Sequence, residues 1–163
     1  MEINNIYEPL TSEILPGLFV GGTHDTDTVD QVQRLALLTE PVIYDSVASL
    51  YAFSAPMGWH VHEMRFGFQD GPLTALSKQK VREIAQWLHG EWKQGRRVLA
   101  RCQAGINRSC LTIALVLLHE GFSAEAAIEL IRVKRFSHAL SNQHFVRFIY
   151  DEEERMKKGA IAA

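Results

Sequence analysis

The sequence predicts one α/β domain, built on a mainly parallel (mixed) sheet flanked by helices. Three observations predict it. The chain has 163 residues, inside the range of roughly 100–200 that makes a single domain. Short β-branched or aromatic runs alternate with amphipathic helical segments, the pattern of strands joined by helical crossovers. The composition, 47% hydrophobic and 22% charged with five prolines, is that of a folded chain with a core to bury.

Residues 14–22 (ILPGLFVGG) read as an extended segment broken by Pro16-Gly17 and closed by Gly21-Gly22, and residues 25–38 as a helix capped by Asp and Thr. Residues 42–47 and 59–66 have the β-branched and aromatic content of strands. Residues 77–95 place Val81, Ile84, Ala85, Leu88 and Trp92 on one helical face, with Ser77 as N-cap and Gly95 at the end. Residues 96–102 form a short buried strand, and three helices follow over 108–119, 123–135 with Ser123 as N-cap, and 141–154. The domain is expected to span residues 3–156, with 157–163 as a flexible tail.

Charge narrows the function. Seventeen Lys plus Arg against nineteen Asp plus Glu give a net charge of -2, so a globally basic surface for nucleic acid is absent and any anion must be met by a local site. The N-terminus lacks the basic start and apolar stretch of a secretory signal, and the apolar run at 111–118 is too short to span a bilayer. Two cysteines, Cys102 and Cys110, are too few for a disulfide scaffold and suggest a reducing, cytoplasmic setting.

The chemistry lies where the strand ending at Cys102 gives way to a helix. Cys102 and Arg108 are separated by five residues, Gln103, Ala104, Gly105, Ile106 and Asn107, enough to wrap a loop around one tetrahedral anion. Backbone N–H groups from Gln103 to Arg108 can converge on phosphate oxygens, helped by the positive end of the following helix, with Gly105 supplying the positive φ of a tight wrap. Arg108 adds a bidentate fork. The same field favours a thiolate on Cys102, which makes it a nucleophile.

RCQAGINRS, preceded by VLA and followed by the apolar CLTIALVLL, resembles the signature loop of the cysteine-dependent protein tyrosine phosphatase superfamily. It is most similar to the small dual-specificity phosphatases, in particular to loops of actinobacterial and bacteriophage members. The similarity covers nearly the whole chain: ILPGLFVGG resembles the opening strand pair, FQDGPL the general-acid loop and LSNQHFVRFI the last helix. The resemblance implies a mixed sheet with helices on both faces and a phosphocysteine mechanism without metal or cofactor. Cys102 is then the nucleophile, Asp70 the general acid and later base, and Ser109 the hydroxyl that stabilises the departing thiolate. Independently, two adjacent parallel strands joined by one helix would bring the Asp70 and Cys102 loops to one edge of the sheet.

The departure is Arg101, where most members of that family carry His. Strand alternation points residue 101 away from the pocket that Cys102 faces, so Arg101 is expected to act through indirect hydrogen bonds or through its charge. Cys110 is expected to be a buried, inert thiol, and His60 and His62 lack a third ligand for a metal. Arg135 and the Ser141-Asn142 turn either brace the loop or serve as caps. Trp87 and Trp92 belong to the core, and Arg65, Phe66 and Phe68 are candidates for the pocket rim.

The expected activity is hydrolysis of a phosphomonoester in a phosphorylated protein, on phosphotyrosine with phosphoserine and phosphothreonine as further candidates, by a monomer with no nucleic-acid or membrane partner. Two alternatives stand beside it. One is a catalytically impaired module that only binds phosphoproteins, motivated by Arg101; the other is a phosphatase of a phosphoinositide or an RNA 5′-phosphate.

Overall fold

The computed structural model describes residues 10–23 and 44–162. The expected helix at 25–38, the start of the domain at Ile3 and the first two residues of the 42–47 strand lie outside them. Five strands are present, β1 (Thr11–Leu15), β2 (Leu18–Gly22), β3 (Ser46–Ser49), β4 (His62–Arg65) and β5 (Val98–Cys102). The helices among the described residues are α1 (Ala75–Lys93), α2 (Arg108–Glu120), α3 (Ala124–Lys134) and α4 (Gln143–Ala162).

The sheet order is β1-β2-β5-β3-β4. β1 and β2 pair antiparallel as a hairpin turned at Pro16-Gly17, and every other pairing is parallel. The mixed sheet is the one the sequence predicts. Its strand order corrects one expectation: β4 and β5 are not adjacent, because β3 lies between them and pairs with both. Residues 59–66 also form a shorter strand than expected, because Val61 N–H closes a turn onto the Gly58 carbonyl at 2.9 Å before β4 begins.

Alternation along β5 separates two environments. Val98, Ala100 and Cys102 join the main core with Leu18, Val20 and Ala48, whereas Leu99 packs on the other face with Phe19 and Val47. α2 is buried from Ser109 to Leu118 between the sheet and α1, α3 and α4, which explains its run of apolar residues with no polar face. It stops at Gly121, which takes φ 105° while Phe122 N–H reaches back to the Leu117 carbonyl at 3.0 Å.

Two helix limits differ from the sequence expectation. The N-cap of α1 is Thr74, whose hydroxyl accepts from Ser77 N–H at 3.1 Å; Ser77 is therefore the capped residue, in the first turn. α4 continues to Ala162 instead of stopping at Glu154, with Met156 packed on the core and Lys157 paired with Glu153 and Glu154. Ser123 caps α3 as expected, accepting from Ala126 N–H at 3.1 Å. Among the described residues, no helix is long and apolar enough to cross a membrane.

Candidate active site

β5 delivers Cys102 to the C-terminal edge of the sheet, 2% exposed, and α2 begins at Arg108. Between them the loop is held from outside through its carbonyls. Gln103 C=O accepts from Thr23 N–H at 2.8 Å and Ile106 C=O from Leu140 N–H at 2.8 Å. Arg135 supplies the other two donors, Nη2 to Ala104 C=O at 3.4 Å and Nε to Gly105 C=O at 3.1 Å. In a trans peptide the carbonyl and the next N–H point in opposite directions, so four carbonyls turned outward direct the N–H groups of residues 104–107 into the loop. Gly105 N–H demonstrates that direction by donating to Cys102 Sγ at 3.3 Å.

Close packing surrounds the loop at Gly105. Gly105 has φ +69°, and a Cβ there would lie 2.6 Å from Arg135 Nη2, Gly21 C and Gly22 N. Leu140 takes φ 58°, an unfavourable value for a side chain with a Cβ, in the turn that aims its N–H at Ile106. Arg135 is itself buried and anchored by Ser12 Oγ at 3.1 Å and Leu10 C=O at 3.2 Å, with its guanidinium 4.2 Å from the Phe136 ring. Arg135 therefore braces the loop directly.

Inside the loop, Cys102 Sγ lies 3.2 Å from Ser109 Oγ. Arg108 donates through Nη1 to Phe68 C=O at 3.0 Å and through Nη2 to Gln103 Oε1 at 3.4 Å, and its guanidinium lies 5.3 Å from the Tyr51 ring centroid. Its Nε–H is buried and has no acceptor among the described residues. An unsatisfied buried donor costs about 1–3 kcal/mol, a cost removed when an anion accepts from it. Asn107 occupies the N-cap of α2 but makes no capping bond, so the first amides of that helix also remain available to an anion.

The Asn107 side chain is used elsewhere. Its Nδ2 donates to Asp70 Oδ2 at 2.9 Å, and its Oδ1 accepts from Asn142 N–H at 3.0 Å. Asn142 Nδ2 donates to the second Asp70 oxygen at 2.8 Å and to Gly71 C=O at 3.2 Å. Asp70 is thus tied to the anion loop through one asparagine and to the start of α4 through another. Asn142 does cap α4, accepting from His144 N–H at 3.0 Å, so its turn both caps the helix and braces the site.

Arg101 lies on the opposite face of the sheet from Cys102 and is 5% exposed. Its Nε donates to Ser49 Oγ at 2.9 Å, and its Nη2 bonds the Ala55 carbonyl and reaches Glu63 Oε2 at 3.2 Å. Burial pushes Glu63 up, but the Ser49 hydroxyl, Met57 N–H, Arg65 and Arg101 together outweigh it and hold the carboxyl below its ordinary value. Burial also pushes Arg101 down, opposed by Glu63. Arg101 therefore braces the segment before β4 and makes no bond to the loop after Cys102.

Other candidates pack around the loop or lie away from it. Cys110 is fully buried, donates to Gly105 C=O at 3.6 Å, and has its thiol pushed well up by burial and by Cys102. Among the described residues, no group of three or more His, Cys, Asp or Glu could hold a metal ion. Trp87 and Trp92 pack against the core. Phe66 and Phe68 do likewise, with Phe68 offering its carbonyl to Arg108, and Arg65 binds Glu63 and Ser54. No local sequence pattern marks Thr23, Tyr51 or Leu140 as part of the site.

Residues 55–155 match the family described as "Dual specificity phosphatase, catalytic domain". Mouse dual specificity protein phosphatase 22 is 28% identical over 144 residues, covering 88% of this chain and 73% of that protein. Mouse dual specificity protein phosphatase 15 is 26% identical over 125 residues, 76% of this chain, and the match spans only 50% of that protein's length. Among solved structures, a mouse dual specificity phosphatase complexed with zinc tungstate superposes with TM-score 0.76 at 19% identity, over 99% of this chain and 97% of that one. The human tyrosine phosphatase-like serine/threonine/tyrosine-interacting protein superposes with TM-score 0.68 at 21% identity, over 90% and 97%. At such identities these superpositions establish the fold alone.

Proposed function

The chain belongs to the dual specificity phosphatase family, a family of cysteine-dependent protein phosphatases, and from that premise we propose that it hydrolyses phosphotyrosine in proteins, and phosphoserine or phosphothreonine as well, through a phosphocysteine intermediate. Cys102 thiolate attacks phosphorus while Arg108 and the amides of residues 104–107 hold the non-bridging oxygens. The ester P–O bond breaks as Asp70 gives its proton to the leaving oxygen. Water then attacks the phosphocysteine and passes a proton to Asp70. The P–S bond breaks, and Ser109 Oγ, 3.2 Å from Sγ, hydrogen-bonds the departing thiolate.

The observation that carries this reading is the set of four outward carbonyls around Cys102 together with the Arg108 Nε–H, which has no acceptor among the described residues. Amides turned inward and a guanidinium with one donor left over make a site for a dianion at the sulfur. The tether from Asn107 to Asp70 adds an acid beside it. A module that only binds phosphoproteins requires neither sulfur nor acid, and the Arg101 that motivated it is bonded to Ser49, Ala55 and Glu63 rather than to the loop.

Assays with p-nitrophenyl phosphate and with phosphotyrosyl and phosphothreonyl peptides test the proposal. Wild-type protein is expected to release phosphate and to be inhibited by vanadate, and Cys102→Ser to retain peptide binding without turnover. Full activity in Cys102→Ser rules out the phosphocysteine.

A further inference from the structure

Phe53 is 86% exposed, yet it sits on a tightly held turn. Ser54 closes that turn by donating its hydroxyl and its N–H to the Tyr51 carbonyl, at 2.7 and 3.1 Å. Arg65 Nη2 donates to Ser54 C=O at 2.6 Å and to Ser54 Oγ at 3.1 Å, Arg101 bonds the Ala55 carbonyl, and Glu63 Oε1 accepts from Met57 N–H at 3.3 Å. Two guanidinium groups and one carboxylate, all rooted in β4 and β5, clamp an otherwise irregular segment. Such anchoring behind a solvent-exposed phenyl ring gains nothing from burial of that ring.

The position of the turn shows what the ring borders. Tyr51 lies beneath the Arg108 guanidinium at 5.3 Å, and Phe53 meets Tyr51 edge-on with centroids 5.6 Å apart. On its other side the turn touches the approach to the acid loop, since a Cβ on Gly67 would lie 2.6 Å from Ala52 Cβ and 2.8 Å from Ala52 N. Phe53 is therefore one ring beyond the side chain that grips the anion, next to the strand exit that leads to Asp70. A phosphotyrosyl group places an aromatic ring directly after the ester oxygen. Phosphoserine and phosphothreonine place only a short alkyl stem there.

Resting on the phosphatase reading above, we propose that Phe53, backed by Tyr51 and held by the Arg101, Glu63 and Arg65 clamp, forms the aromatic wall that receives the phenyl ring of a phosphotyrosyl peptide. Arg101 is then a positioning residue for substrate preference. A ring-to-ring contact of this kind corresponds to roughly two- to tenfold in affinity.

The test compares matched phosphotyrosyl and phosphothreonyl peptides in two ways: kcat/KM with otherwise wild-type protein, and affinity in the Cys102→Ser background. Phe53→Ala is expected to lower the phosphotyrosyl to phosphothreonyl ratio two- to tenfold in both measurements, Phe53→Tyr to restore it, and Arg101→Lys to lower it through KM. An unchanged ratio in Phe53→Ala, or an equal loss for both peptides, overturns the proposal. Absence of turnover with the affinity ratio still shifted by Phe53→Ala overturns the phosphatase reading alone and supports the aromatic wall.

Discussion

The side-chain amide of Asn107 donates to the Asp70 carboxylate across 2.9 Å, tying the loop after β5 to the loop after β4. β3 separates those strands in the sheet, so this bond and its companion from Asn142 at 2.8 Å register Asp70 against the loop between Cys102 and Arg108. Asp70→Asn is expected to lower kcat by roughly 10²–10⁴ for substrates with poor leaving groups and by less for p-nitrophenyl phosphate. Asn142→Ala, which removes one of the two donors, is expected to cost about tenfold, the equivalent of one hydrogen bond to a charged group. A series of aryl phosphates of graded leaving-group acidity measures both.

Gly105→Ala combines a φ of +69° with a Cβ 2.6 Å from two backbone atoms. The backbone strain alone costs about 1–3 kcal/mol, equivalent to a fall in Tm of several degrees for a chain of this size. Because that strain sits in the anion loop, vanadate inhibition should weaken along with the fall in Tm. Calorimetry paired with inhibition measurements checks this.

Arg135 donates to two of the four loop carbonyls, through Nη2 to Ala104 and through Nε to Gly105, the second of which also accepts from Cys110 Sγ. Arg135→Lys retains a positive charge but cannot reproduce the fork, and is expected to weaken vanadate inhibition about tenfold or more. An unchanged inhibition constant in a folded variant would show that the loop holds its amides inward without those bonds.

Cys110 is fully buried, with its thiol pushed upward, so it should not compete as a nucleophile. In the Cys102→Ser protein, iodoacetamide is expected to leave the native chain unlabelled and to modify Cys110 only after denaturation. Mass spectrometry of the labelled protein reads this directly.

Acid stability follows from Glu152, which is 1% exposed and held by Arg82 at 2.6 Å and Arg155 at 2.8 Å. Burial pushes its carboxyl up, but the two guanidinium groups outweigh that and hold it below the ordinary value of 4.5; Glu63 is lowered in the same sense. A carboxyl whose folded value lies below its unfolded one contributes stability that is present above the unfolded value and lost as pH falls through the folded one. Tm should therefore hold above pH 4.5 and fall below it, and Glu152→Gln should start lower and fall less steeply. Thermal melts across pH 3 to 7 measure both slopes.

Much of this was legible in the sequence, and the reasons are local. The Ser123 cap, the amphipathic face of α1, the alternation that sends Arg101 away from Cys102, and the spacing from Cys102 to Arg108 all depend on residues within a few positions of one another. The N-cap of α1 is not legible locally because Thr74 and Ser77 are both good caps, and only the direction of the hydrogen bond distinguishes them. The continuation of α4 past Glu154 is not legible locally because Met156 packs on the core, a contact with distant residues.

By itself the sequence determined an α/β domain with a five-residue anion loop between a cysteine and an arginine at a strand-to-helix junction, since turn chemistry and periodicity act over short stretches of chain. The tertiary structure decided the strand order, the outward carbonyls, the hold on Asp70 and the clamp behind Phe53. Each of these needs a donor or packing surface from a remote segment: Thr23 for Gln103, Arg135 for Gly105, Leu140 for Ile106, Asn142 for Asp70, Arg101 for Ala55. A backbone group must be paired when it is buried, but which distant group pairs it is settled only when the chain has packed.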